Sequence, residues 1–121
     1  MSRRILVVDD DLVTTQTLHR ALMAEGFLVE TENDSMRALE TAIRFQPDFV
    51  ILDFLMPRAH GGDVAWQLAS TAALRKTPRI ILCSGVPTAE FALKLPPIKI
   101  EILEKPVDFA TLVKLLRVPD V

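Results

Sequence analysis

The features that this chain of 121 residues lacks exclude several classes of protein. Its single cysteine, Cys83, cannot form an internal disulfide bond, which suits a reducing cytoplasm. No apolar run approaches the ~20 residues of a membrane-spanning helix, and the N-terminal apolar run is too short for the core of a signal peptide. The formal net charge of −2 provides no basic surface for nucleic acid. We therefore expect a cytoplasmic domain that binds neither membrane nor nucleic acid directly.

The composition that is present, 50% hydrophobic and 25% charged, is typical of one globular domain. Short apolar runs alternate with segments of helical periodicity, which predicts an α/β fold with a parallel sheet covered on both faces. The predicted strands are residues 5–8, 27–32, 49–52, 79–83 and 98–103. The five predicted helices are 12–25, a segment capped by 33–35 and ending by Pro47, 62–70, 88–95 and 108–117.

Polar side chains follow most of these strands. Asp9 and Asp10 end the first strand, Asp53 the third and Ser84 the fourth, and Lys105 follows the fifth. Because the carboxyl ends of parallel strands share one edge of a sheet, we expect these groups to converge. Three carboxylates would repel one another unless a cation joins them, and Mg2+ prefers such oxygen ligands. The set suits phosphoryl chemistry, with a carboxylate nucleophile, a metal, a lysine and a hydroxyl donor.

Together these motifs resemble the receiver domain of two-component response regulators. The matching residues are 5–11, then Asp53 with Met56-Pro57, then Ser84-Gly85, then Lys105-Pro106. The resemblance implies a flavodoxin-like three-layer fold with strand order 2-1-3-4-5 and five helices. It assigns residues 1–117 to the receiver domain, and leaves 118–121 as a tail or as the start of a linker to an output domain.

The resemblance also implies a metal-dependent phosphoacceptor. Asp53 would accept a phosphoryl group from a sensor histidine kinase or a phosphotransfer protein. Asp10, Asp53 and the backbone carbonyl of Leu55 would bind Mg2+ (or Mn2+), with Asp9 acting through water. Because Leu55 has no polar side chain to orient water, we expect the phosphate on Asp53 to hydrolyse slowly.

The same resemblance implies a switch. Ser84 would hydrogen-bond the new phosphoryl group, Lys105 would pair with it, and a cis peptide bond before Pro106 would aim Lys105 into the site. Signal would leave through the face of the fourth helix, fifth strand and fifth helix, toward an output domain or a second copy. Two features depart from the family, since Ile102 replaces the usual aromatic and Pro96-Pro97 shortens the fourth helix.

Two further residues, His60 and Trp66, carry open alternatives. His60 is either an exposed loop residue or a metal ligand or proton carrier. Trp66 is either a partly exposed surface aromatic pointing outward or an anchor for a partner. Cys83 lies on an apolar strand and is expected to be inert core.

The phosphorylation switch would assist its own phosphorylation and dephosphorylation without being a turnover enzyme. Two other classes of function remain possible alternatives to it. A degenerate receiver would act only as a docking or dimerisation module, which Ile102 and the two prolines favour. A phosphatase of the haloacid dehalogenase type would use Asp53 on small substrates. That class needs a second aspartate two residues on, where this chain has Leu55.

Overall fold

The computed structural model describes residues 2–87, 89 and 91–119 and contains one five-stranded sheet. All neighbouring strands are parallel, and their order is β2-β1-β3-β4-β5, which confirms the flavodoxin-like prediction. The strands are β1 (Arg4–Val8), β2 (Leu28–Glu32), β3 (Phe49–Asp53), β4 (Arg79–Ser84) and β5 (Ile100–Glu104). The α-helices are α1 (Leu12–Ala24), α2 (Ala38–Phe45), α3 (Gly61–Ser70) and α4 (Phe109–Leu116).

The central strand β3 is buried along its whole length, between β1 and β4. Its apolar, β-branched sequence fits a position covered on both faces, whereas the mixed polar sequence of β2 fits the edge that this strand occupies. The ladder between β1 and β3 ends at the pair Val8 and Leu52. Asp9 and Asp53 therefore emerge side by side from neighbouring strands.

Alternate residues of the strands fill two separate cores. Leu6, Val50 and Leu82 face one side, which α2 and α3 cover. Ile5 and Ile81 face the other side, where Leu22 of α1 and Leu112 and Leu116 of α4 cover them. Each fully buried side chain of this size contributes roughly 1.5–3 kcal/mol of transfer free energy, so the two layers fix the helices on the sheet.

Helix ends follow the local signals in the sequence. The carboxylates of Asp11 and Asp108 accept hydrogen bonds from the first-turn N–H groups of α1 and α4, at 3.1 and 3.0 Å. Gly26, just after α1, has a φ of 96°, a conformation that glycine adopts without steric cost. Gln46, which precedes Pro47, is left-handed and ends α2.

Among the described residues, four of the five predicted helices form as α-helices, and the predicted helix over 88–95 does not. The described part of that segment has 3-10 geometry instead, including the turn Ala92–Lys94. The 3-10 turn ends at Lys94 because the residue before a proline avoids the helical region, and Leu95, which precedes Pro96, is extended. Thr88 and Glu90 of that expected helix, and Asp120 and Val121 of the expected tail, lie outside the described residues.

None of the helices within the described ranges combines the length and the apolar character that crossing a membrane requires.

Candidate functional site

Asp53 lies at the carboxyl end of β3 with only 7% of its surface exposed. Lys105 Nζ donates to Asp53 Oδ1 at 2.5 Å. The lysine is held there by its backbone, since its N–H donates to the carbonyl of Ser84 at 2.9 Å and the Lys105-Pro106 peptide bond is cis. The structure thus brings together two groups that are 52 residues apart in sequence.

Asp9 and Asp10 complete an acidic cluster with Asp53. Carboxylate oxygens of the three residues lie within 4.8 Å of one another. Asp9 is buried, while Asp10 is exposed. The pKa of Asp9 is raised from 3.8 to about 6, mainly because the carboxyl group is buried, and the nearby charge of Asp53 also raises it. The hydrogen bond that Asp9 Oδ1 accepts from the Asp11 N–H acts in the opposite direction and lowers the pKa.

Lys105 is the cation that faces this cluster. Burial alone would lower the pKa of its ammonium group, but the hydrogen bond and the charge of Asp53 outweigh burial and raise it. The cluster thus has three acidic side chains and one facing ammonium group. A hard divalent cation prefers carboxylate oxygens, so the donor set fits Mg2+ or Mn2+.

The loop after Asp53 passes close to the site. Several hydrogen bonds fix its backbone, among them those from Phe54 N–H to the carbonyl of Cys83 (2.9 Å), from Ala59 N–H to the carbonyl of Pro57 (2.8 Å) and from Gly61 N–H to the carbonyl of Phe54 (2.8 Å). Leu55 lies within this loop with 54% of its surface exposed. Its side chain therefore contributes no polar group to the site.

Ser84 is buried at the end of β4, but its hydroxyl is engaged locally. Its Oγ accepts from Val86 N–H at 3.0 Å and donates to the carbonyl of Val86 at 3.1 Å. Ile102 lies one strand away, paired with Leu82 in the β4–β5 ladder and packed against the core under α2 and α3. The structure brings Asp9, Asp10, Asp53 and Lys105 together directly, and it leaves Ser84 turned to its own loop.

Gly61 is a functional position that the sequence reasoning missed. A Cβ there would lie 2.6 Å from the backbone oxygen of Asp53 and 2.8 Å from Leu82 Cδ1. Only glycine allows α3 to begin this close to the site. No local signal identifies the requirement, because it arises from a contact between separate elements.

Aromatic side chains pack beside the same loop. The rings of Phe54 and Phe91 stack with centroids 4.1 Å apart, and Phe91 is 5% exposed. His60 is exposed and stacks more loosely on Phe54, and its N–H donates to Asp63 at the start of α3. These contacts place His60 at the start of α3.

Trp66 is 46% exposed, in agreement with the outward position expected from the helical wheel. Its Nε1 donates to the carbonyl of Lys94 at 2.6 Å, so the ring ties α3 to the 3-10 turn. Cys83 is buried, and burial raises the pKa of its thiol to about 11. A thiol that stays protonated at neutral pH is unreactive, as expected of core.

A groove of about 830 Å3 opens beside the acidic cluster between α1 and α4. Val13, Leu18, Phe109 and Leu112 contribute apolar walls, and Asp53 and Lys105 are among the groups that line it. Val13 is 71% exposed. The site is therefore accessible to solvent from this side.

In this α/β fold, a buried carboxylate paired with a lysine lies next to two more carboxylates at the carboxyl end of a parallel sheet, a set of oxygen ligands that suits a hard divalent cation. The family model for the response regulator receiver domain matches residues 5–117. The chain belongs to the response regulator receiver domain family, whose members are signalling modules of two-component systems.

Similar proteins agree with this assignment. The chain is 47% identical over 68 residues to response regulator MprA of Mycobacterium leprae, a match that covers 56% of this chain and 30% of the relative. The chain thus spans less than a third of the length of that relative. A response regulator receiver structure from Bermanella marisrubri is 30% identical, with a TM-score of 0.79 and 96% of each chain covered.

A third similarity concerns the fold alone. The receiver domain of sensor histidine kinase PA1611 from Pseudomonas aeruginosa is 22% identical, with a TM-score of 0.82, and covers 97% of this chain and 96% of its own. That structure has a magnesium ion coordinated in its active site cleft.

Proposed function

We propose that this domain accepts a phosphoryl group on Asp53 from a sensor histidine kinase or a phosphotransfer protein. The observation that supports this most is the pairing of buried Asp53 with Lys105, beside the carboxylates of Asp9 and Asp10. One Asp53 oxygen forms the new bond to phosphorus while the bond from phosphorus to the donor histidine nitrogen breaks. That nitrogen keeps the electron pair, and Lys105 balances charge on the phosphoryl oxygens.

Mg2+ or Mn2+ is the proposed cofactor. Asp10, Asp53 and the carbonyl of Leu55 would hold the ion, and Asp9 would act through water. When bound, it supplies positive charge for the negative groups that meet during transfer. The donor set of three close carboxylates supports this assignment, as does the magnesium bound by the PA1611 receiver domain.

The proposed switch starts at Ser84. To reach a phosphoryl group on Asp53, its hydroxyl must leave the two bonds with Val86, each worth about 1 kcal/mol. Charge-assisted hydrogen bonds to the phosphoryl oxygens would compensate for this loss. Since Ile102 provides no aromatic ring to swing inward, movement of the loop backbone after Ser84 would carry the signal.

The groove between α1 and α4 is the proposed entry side for the phosphodonor, because its apolar walls end at Asp53 and Lys105. Output would use the face of the 3-10 turn, β5 and α4, toward an output domain or a second copy. Like the family in general, the domain would assist its own dephosphorylation without turning over an external substrate.

The second candidate is a degenerate receiver that docks or dimerises without phosphorylation. Ile102 in place of an aromatic, and a 3-10 turn in place of a helix on the output face, favour it. The two candidates differ in one measurable property, which is whether Asp53 takes up phosphate.

Incubation with Mg2+ and acetyl phosphate, followed by intact mass spectrometry, separates them. We expect a mass increase of one phosphoryl group in the wild type, its loss in Asp53→Asn and its loss when EDTA replaces Mg2+. Asp108→Asn is the matched control, since Asp108 is an exposed aspartate that caps α4. An unmodified wild type with acetyl phosphate and with a phosphohistidine donor would favour the docking module.

A further inference from the structure

The loop of residues 33–35 contacts both loops that carry the acidic cluster. It follows β2, at the edge of the sheet, and its last residue begins a 3-10 turn, Ser35–Arg37, that leads into α2. Asn33 Nδ2 donates to the backbone carbonyl of Asp9 at 2.9 Å and to Thr15 Oγ1 at 2.9 Å. A backbone carbonyl only accepts hydrogen bonds, so the orientation of the Asn33 amide is fixed.

Ser35 makes the second contact. Its Oγ donates to the backbone carbonyl of Pro57 at 2.8 Å, and only 3% of the residue is exposed. Pro57 lies two residues beyond Leu55 in the loop that follows Asp53. An ion pair between Asp34 and Arg58 joins the same two loops at the surface, where such pairs contribute little.

These two bonds lie beyond the ladder between β1 and β3, which ends at Val8 and Leu52. The Asp9 N–H still donates to the carbonyl of Glu32 at 3.2 Å, and Asp53 still pairs with Cys83 of β4, but the β1–β3 ladder no longer joins the two loops to each other. Asn33 holds the first loop through Asp9 and ties it to the first turn of α1 through Thr15, which is fully buried. The 33–35 loop is thus a bridge between the two ligand-bearing loops.

We propose that Asn33 and Ser35 are positioning residues that set the spacing of the metal ligands. They do so by holding the Asp9 and Pro57 carbonyls and without contacting the ion. This inference rests on the proposed function, since it needs Asp10, Asp53 and the Leu55 carbonyl to bind a divalent cation. Outer groups that orient ligands typically change metal affinity by roughly 10–100-fold when removed.

Isothermal titration of the full chain with Mn2+ tests the proposal. We expect Asn33→Ala and Ser35→Ala each to raise the Kd for Mn2+ by roughly tenfold. Thr111→Ala is the matched control, because it also removes a side-chain hydrogen bond, at 2.7 Å to Asp108, but at the start of α4. Its Kd should equal that of the wild type.

A second readout separates positioning from a general structural role. In phosphorylation with acetyl phosphate, the Mg2+ concentration for half-maximal rate should rise in both variants, while the rate at saturating Mg2+ stays close to wild type. Circular dichroism checks that the variants fold. If Ser35→Ala fails to fold, the Asn33→Ala variant alone tests the proposal, since Asn33 is only partly buried. Unchanged Mn2+ affinity in a folded Asn33→Ala would overturn the inference. A wild type that binds no Mn2+ would overturn the proposed metal site, and the inference with it.

Discussion

Replacing Asp9 with asparagine should stabilise the metal-free domain at neutral pH. The carboxylate is buried beside Asp53, and its pKa is raised from 3.8 to about 6. At about 1.4 kcal/mol per pKa unit, ionising Asp9 costs the folded state about 3 kcal/mol relative to the unfolded chain. Asparagine has the same shape and keeps an oxygen to accept the 2.9 Å hydrogen bond from Asp11 N–H, so little else changes.

The raised pKa of Asp9 also predicts how the stability gain of Asp9→Asn depends on pH. An acid whose pKa is raised by folding is charged in the unfolded chain before it is charged in the folded one. Its unfavourable contribution therefore grows as the pH rises from about 4 to about 6 and is constant above. The advantage of Asp9→Asn should be largest above pH 7 and should disappear below pH 4.

Urea denaturation in EDTA, followed by circular dichroism at several pH values, gives the free energies of unfolding. We expect Asp9→Asn to exceed the wild type by up to about 3 kcal/mol at pH 7.5. Saturating Mg2+ should shrink the difference, because binding stabilises the wild type more. Asp108→Asn is the control: its pKa is lowered by hydrogen bonds from Thr111, so neutralising it should bring no gain.

Two results would refute this reasoning. If Asp9→Asn is less stable than the wild type in EDTA at pH 7.5, the buried charge is not unfavourable. If the gain is the same at pH 4 and pH 7.5, it comes from something other than ionisation.

Three further predictions each rest on one residue. Gly61→Ala should lower the free energy of unfolding, measured by urea denaturation, by about 2 kcal/mol or more, because its Cβ would meet the Asp53 carbonyl. Gly85→Ala is the control, since a Cβ there would have no atom within 4 Å, and its free energy of unfolding should not fall. Trp66→Phe should cost about 1 kcal/mol in the same assay through its lost hydrogen bond, and an unchanged stability would contradict that. Because Leu55 cannot orient water, radiolabelled phosphate should stay on the protein for many minutes in Mg2+ after the donor is removed; a half-life of seconds would contradict this.

Much of the fold follows from local patterns in the sequence. The apolar runs identify the strands, and Asp11 and Asp108 stand where helices begin. Polar residues at strand ends predict the convergence of Asp53 and Lys105, because a parallel sheet leaves few alternatives.

What the sequence could not predict depends on contacts between distant segments. The close approach of Gly61 to Asp53 and the stack of Phe54 on Phe91 join residues whose spacing has no period. The bridge from Asn33 to Asp9 is of the same kind, since the sequence indicated only a helix cap there. The predicted fourth helix is replaced by a 3-10 turn at Ala92–Lys94, so the shortening that Pro96-Pro97 predicted goes further than the two turns of helix expected from the sequence.

The contacts at the end of β4 bear on the proposed switch. Ser84 is engaged with Val86, and Phe91 is stacked on the ring of Phe54, directly after Asp53. Ile102 lies in the core beneath. If phosphorylation of Asp53 moves the Ser84 hydroxyl, its two hydrogen bonds with Val86 must break.

Tandem mass spectrometry of the phosphorylated, proteolysed wild type tests the central claim most directly. After incubation with Mg2+ and a phosphodonor, the phosphoryl group should be found on the peptide that contains Asp53, at that aspartate. A phosphoryl group on Ser84, on Asp9 or Asp10, or on no residue at all would contradict the account.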